Sequence, residues 1–150
     1  MRNLISAVLG LILGSPVMGQ AGEVVCVGAN RYGLFDIPDG VFTQVATGNY
    51  HSIGLREDGT IACWGWNTYG QSDAPHGGSF TKIAAGAHHS LGLREDGTVV
   101  CWGYNENGEC DAPYGLFGLF KEVAGGSFHS LGLREDGTVV CWGCNKYGQC

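Results

Sequence analysis

Beyond the first twenty residues the chain shows no long stretch of helical periodicity. Apolar residues come in short runs punctuated by Gly, Asn, Asp and Pro, the pattern of brief strands joined by tight turns. His89 to Arg94 and Val99 to Trp102 are typical runs, separated by Glu95-Asp96-Gly97-Thr98. Asp-Gly between two apolar runs predicts a two-residue type I′ hairpin. That turn sets Leu93 against Val100, Gly92 against Cys101 and Leu91 against Trp102. Side chains alternate between faces, so His89, Leu91, Leu93, Val100 and Trp102 are expected on one bulky face. Ser90, Gly92, Arg94, Val99 and Cys101 are expected on a smaller one.

The pattern repeats. Gly-Leu-Arg-Glu-Asp-Gly-Thr starts at Gly54, Gly92 and Gly132, spacings of 38 and 40 residues. Phe42, Phe80 and Phe120 open each unit, Gly-x-x-His-Ser follows, and Cys-Trp-Gly recurs at Cys63, Cys101 and Cys141. Asn-x-x-Gly comes next, then Asp-Ala-Pro at Asp73 and Asp111. Cys26, Asn30, Gly33, Asp36 and Pro38 form a worn copy of the same tail. The expected organisation is a degenerate half repeat over 22–41, repeats over 42–79 and 80–119, and a truncated repeat over 120–150. Three or four short strands per unit predict a blade whose bulky face needs the next copy to cover it. The fold class is therefore all-β, a partial propeller of about three blades.

These units resemble the repeats of the regulator of chromosome condensation family over about 125 residues. A Trp-Asp propeller repeat is longer and ends in Trp-Asp, whereas here glycine follows the tryptophan. The resemblance implies a propeller that normally closes with seven blades. It also implies recognition roles, including nucleotide exchange on the GTPase Ran, histone contact, ultraviolet sensing and secreted inhibition of β-lactamases. The secreted branch is the nearest in compartment, and nothing matches a Ran-directed wedge.

Residues 1–21 change the picture of where the chain works. Arg2, an apolar core from Leu4 to Leu13, the Gly14-Ser15-Pro16 break and small residues at Gly19 and Ala21 have the order of a secretory signal peptide. The core is too short to span a bilayer, so no membrane anchor is expected, and the reading is a secreted or periplasmic protein. The whole chain carries a net charge of −6 with no Lys/Arg run, which argues against nucleic acid as a partner.

The repeated His51, His89 and His129 are expected to hold neighbouring backbone groups. Asp58, Asp96 and Asp136 are turn residues, and Arg56, Arg94 and Arg134 are expected to be solvated or paired along the sheet. Cys26, Cys63, Cys101 and Cys141 share one position. Cys110 and Cys150 share a second, nine residues on, making Cys101–Cys110 and Cys141–Cys150 candidate disulfides in an exported chain. Cys141-Trp-Gly-Cys144 lacks the strand-to-helix setting of a redox motif, and no metal-ligand spacing or phosphate loop is present. No cofactor is expected.

Recognition is expected where the copies differ. The variable loop positions carry Tyr50, His88 and Phe128 before the repeated histidine, and Trp66 and Tyr104 before the repeated asparagine. The last connection adds Leu116 and Phe117. Aromatics on loops of a rigid scaffold suit a protein partner. The leading expectation is a non-catalytic, secreted protein-binding module. The alternatives are a structural piece of a larger extracellular repeat protein, completed by a longer chain or by self-association, a thiol redox enzyme or propeller hydrolase, and an exchange-factor or chromatin role.

Overall fold

The computed structural model describes residues 4–7, 23–113 and 119–150. Three antiparallel three-stranded sheets follow one another along the chain. The first contains β3 (Phe42–Thr47), β4 (His51–Arg56) and β5 (Ile61–Gly65). The second contains β6 (Phe80–Ala85), β7 (His89–Arg94) and β8 (Val99–Gly103). The third contains β9 (Phe120–Gly125), β10 (His129–Arg134) and β11 (Val139–Gly143). In each, the strand from the His-Ser step lies in the middle. Ahead of them, β1 (Leu4–Ala7) pairs in parallel with β2 (Glu23–Cys26). Thus a strand lies inside the expected leader. No helix occurs among the described residues. These are three propeller blades.

The hairpin differs from the expected one by one residue. Arg94 N–H donates to Thr98 O at 2.9 Å and Gly97 N–H to Arg94 O at 3.0 Å, so Glu95-Asp96-Gly97 is a three-residue loop built on a type I turn. Only Gly97 takes a positive φ, +78°, and it ends the turn as a bulge. Asp96 instead accepts from the backbone N–H and hydroxyl of Thr98. The other two blades repeat the same pair of backbone bonds.

That single residue exchanges the partners of a whole strand. Leu93 faces Val99, Leu91 faces Cys101 and His89 faces Gly103. The two faces are therefore not bulky and small but aliphatic and aromatic. Ala84, Leu91, Leu93, Val99 and Cys101 form the first; Phe80, Ile83, Val100 and Trp102 form the second. The aliphatic face of one blade packs on the aromatic face of the next. Ile53 and Leu55 lie against Phe80, Ile83 and Trp102, and Leu91, Leu93 and Val99 against Phe120 and Trp142. Each such side chain contributes roughly 1.5–3 kcal/mol, so the blades are held mainly by one another.

A mid-strand glycine makes the aromatic face flat. A Cβ on Gly92 would lie 2.7 Å from the Phe80 ring and 3.1 Å from Ile61 Cδ1. The bare strand lets Phe80 lie across it, and Arg94 covers the ring with its guanidinium carbon 5.6 Å from the centroid. Arg56 and Arg134 sit likewise over Phe42 and Phe120. The arginines are thus stacked on phenylalanine, not simply solvated or paired along the sheet, because the register shift between Phe80 and Lys82 in β6 sets Phe80 opposite Arg94.

The third blade's outer face is also not the one expected. Val140 and Trp142 pack inward on the second blade. Leu131 and Leu133 stay half-exposed, and Val139 is 62% exposed. Cys101 is bonded to Cys110 and Cys141 to Cys150, with Cα–Cα distances of 5.0 and 5.1 Å. In the first blade Ser72 stands where the second cysteine would be, leaving Cys63 free.

Candidate functional site

The last residues of each central hairpin lie at the end opposite the Asp-Gly turns. There Trp66 N–H donates to Tyr50 O at 2.7 Å, Tyr104 N–H to His88 O at 3.0 Å and Cys144 N–H to Phe128 O at 2.8 Å. Each bond adds one rung beyond the strands and fixes two variable side chains side by side. The following Asn-x-x-Gly loop is held by its own asparagine: Asn67 Oδ1 accepts from Ser72 N–H, and its amide donates to Asp73 Oδ1 at 2.7 Å. Asn105 repeats this with Cys110 and Asp111.

On this rigid rim the rings of different blades touch. Seven rings among the described residues form one connected surface. Tyr32 lies 5.3 Å from Tyr50 and 5.9 Å from Trp66, and Trp66 lies 5.2 Å from Tyr69 and 5.4 Å from His88. Tyr69 continues to Tyr104 at 5.0 Å, and Phe128 closes the series, 6.3 Å from both His88 and Tyr104. Most pairs meet edge to face, the arrangement that ring quadrupoles favour. Tyr32, Tyr50, Tyr69 and Phe128 are exposed, while Trp66, His88 and Tyr104 are half-buried between them.

The structure thus brings together Tyr50, Trp66, His88, Tyr104 and Phe128. Leu116 and Phe117 lie outside the described residues. Tyr32 and Tyr69 were missed, although a signal existed: both occupy the residue before glycine in the Asn-x-x-Gly loop, a position that varies between copies. At the rim's end Cys144 stands at the position of Trp66 and Tyr104.

Beneath the rim the repeated histidines bridge the blades. His51 Nε2 lies 2.9 Å from Ser90 Oγ, the Ser90 hydroxyl donates to Gln71 O at 2.9 Å, and Trp102 Nε1 donates to the same carbonyl at 3.0 Å. His89, Ser130, Glu109 O and Trp142 repeat the set. Because the hydroxyl proton goes to the carbonyl, Nε2–H is the donor, and with Nδ1 buried and without a partner each imidazole is neutral. Burial lowers both histidines to about 4. The serines are fully buried, so a Ser–His pair that looks like a nucleophile and base is wired as a structural bridge. Burial also pushes the Cys63 thiol up to about 12, which silences it as a nucleophile. Cys141 is committed to its disulfide, so Cys141 and Cys144 do not form a dithiol pair. Among the described residues no three His, Cys, Asp or Glu side chains gather as metal ligands.

The regulator of chromosome condensation (RCC1) repeat matches residues 42–71, 80–109 and 120–149, one unit in each blade. No curated protein sequence matches the chain. Among solved structures, it is similar to the ectodomain of the receptor kinase CR4 from Physcomitrella patens, with a TM-score of 0.64 and 31% identity over 71% of this chain and 30% of that one. The ectodomain of the Arabidopsis thaliana receptor kinase ACR4 gives 0.58 and 27%, covering 71% of this chain and 37% of that one. Yeast RCC1 (Prp20), in a structure with Kap60 bound to it, gives 0.59 and 25%, covering 69% and 32%. The chain spans about a third of the length of these solved chains. By its three matched units and its three blades, the chain belongs to the RCC1 repeat family.

Proposed function

We propose that the chain is a non-catalytic, exported protein-binding module that engages its partner through the aromatic rim. The observation that carries this reading is the continuity of the seven rings across all three blades and the half repeat. A rim needed only for packing would close over its own tyrosines; here four of the rings are exposed. Tyrosine and tryptophan on rigid loops offer large contact areas at little cost in side-chain entropy. Truncating such residues at an interface centre typically costs 2 kcal/mol or more.

Export is supported by the signal-like order of residues 1–21, with cleavage before Gly22. The two disulfides and the likeness to two receptor ectodomains point the same way. A protein partner is in keeping with yeast RCC1, which binds Kap60. The test is capture of partners on the immobilised chain, followed by affinity measurement with Trp66→Ala and Tyr104→Ala. A partner whose affinity falls at least thirtyfold with either variant, at unchanged folding, supports the reading. A partner indifferent to both sinks it and favours a structural role.

A further inference from the structure

Two rim tyrosines make the shortest ring contact among the described residues. Tyr69 and Tyr104 stand on neighbouring blades with their centroids 5.0 Å apart, and their planes meet at 67°. The edge of one phenol therefore faces the other ring. Neither ring sits on loose backbone. Tyr69 N–H donates to the side-chain oxygen of the buried Gln71 at 2.9 Å, and Tyr104 N–H donates to His88 O at 3.0 Å. Both phenols stay within reach of solvent, since Tyr69 is exposed and Tyr104 half-buried.

A second observation singles out Tyr104. Its hydroxyl donates to Oε2 of the exposed Glu106 at 3.1 Å, and that bond raises the phenol above its ordinary pKa. Tyr104 is thus protonated at neutral pH. Loss of an electron makes that proton strongly acidic, and a carboxylate is already placed to take it. Among the described residues no other tyrosine hydroxyl has a carboxylate partner, including those of the Tyr32–Tyr50 pair at 5.3 Å. Trp66 lies 5.2 Å from Tyr69, so an electron vacancy on the indole reaches Tyr104 through rings in contact. It comes to rest there, where the proton can leave. Both disulfides close within a single repeat. Among the described residues, then, nothing but the main chain joins one blade covalently to the next.

We propose that Tyr69 and Tyr104 form an oxidative cross-linking site, which a haem peroxidase using hydrogen peroxide converts to a dityrosine between the first and second blades. Each phenol gives up one electron and one proton, the proton of Tyr104 passing to Glu106 and that of Tyr69 to water. The two phenoxyl radicals couple through carbons ortho to their oxygens. The two displaced ring hydrogens move to those oxygens and restore both phenols. One carbon–carbon bond forms and two hydrogens leave the protein. The two electrons and two protons reduce one hydrogen peroxide to two waters. The bridge ties the loop after β5 to the end of β8 and locks the rim across two blades. It stands independently of partner binding, and an oxidising compartment suits it.

The test treats the dilute, purified full chain with a haem peroxidase and hydrogen peroxide, then maps the monomer from a denaturing gel by mass spectrometry. The monomer should show dityrosine fluorescence and the loss of two hydrogens, with residues 69 and 104 as the main link. Tyr69→Phe and Tyr104→Phe keep the ring and its packing, and each should abolish that link. Glu106→Gln keeps a hydrogen-bond acceptor but removes the base. It should slow the Tyr69–Tyr104 link about tenfold and leave any Tyr32–Tyr50 coupling unchanged, a redistribution that a merely structural role for Glu106 would not produce. Dityrosine formed only between molecules, or none at all, would overturn the proposal. So would a monomer linked mainly through Tyr32 and Tyr50, or a Tyr69–Tyr104 link formed at the wild-type rate in Glu106→Gln.

Discussion

Acidification from pH 8 to pH 5 should strip about 4 kcal/mol from the stability of the blades, through His51 and His89 alone. Both side chains are fully buried, and each donates from Nε2 to a serine whose own proton is spent on a carbonyl. A second proton must go to Nδ1, which has no partner in either residue. Burial is the largest cause of the shift, and the like charge of a neighbouring histidine adds to it; for His89, Glu109 partly offsets it. The folded values are about 4 against 6.5 when unfolded. The unfolded chain therefore binds protons first as pH falls. Stability is full above pH 6.5, is lost between 6.5 and 4, and levels off below. At pH 5 linkage gives about 2 kcal/mol for each histidine. Set against the 5–15 kcal/mol typical of a domain, that is a large share. Urea unfolding followed by tryptophan fluorescence at half-unit pH steps measures it. His51→Asn with His89→Asn should be less stable at pH 8 and nearly flat from pH 7 to 5. Asp58, Asp96 and Asp136 are held low chiefly by their threonine hydrogen bonds, so their titration falls below this window. A wild-type curve flat between pH 7 and 5, or the same slope in the double variant, would refute the neutral-bridge reasoning.

Three substitutions test the packing and the turn. Gly92→Ala should destabilise by roughly 1–3 kcal/mol in urea unfolding, the usual range for overpacking, since the new methyl meets the Phe80 ring. Glu95→Pro should be tolerated or stabilising by roughly 0.4–1 kcal/mol, because the second position of a type I turn suits proline. A two-residue type I′ turn would instead put residue 95 in the strand, and a marked drop in midpoint would speak for it. Ser72→Cys should close a third disulfide with Cys63, at the cost of the Ser72 bond to Trp66 O. Intact mass should show the loss of two hydrogens, and the denaturation midpoint without reductant should rise by an amount equivalent to roughly 2–3 kcal/mol, the chain-entropy value for so short a loop.

Much of this architecture is written in the repeat itself. Three copies of one string fix blade number and strand order, and the paired cysteine positions mark both disulfides. The turn register was not legible. Glu-Asp-Gly-Thr satisfies a two-residue turn as well as a three-residue loop, and only the backbone shows that Asp96 is spent on Thr98. From that one residue follow the misassigned faces; Arg94 on Phe80 comes instead from the register shift within β6. The histidines were expected to hold backbone groups, but the serine relay between them and the carbonyl is a contact across two repeats. No pattern within one repeat displays it. Variable loop positions pointed to five of the seven rim rings; the same rule, applied to the residue before each loop glycine, reaches Tyr32 and Tyr69.

The rim as the recognition surface is tested most directly by hydroxyl-radical footprinting of the chain, free and bound to a captured partner. The account predicts protection concentrated on Tyr50, Trp66, Tyr69, Tyr104 and Phe128, with the Asp-Gly turns at residues 57–60, 95–98 and 135–138 unchanged. Protection at those turns with the rim still fully reactive would contradict it.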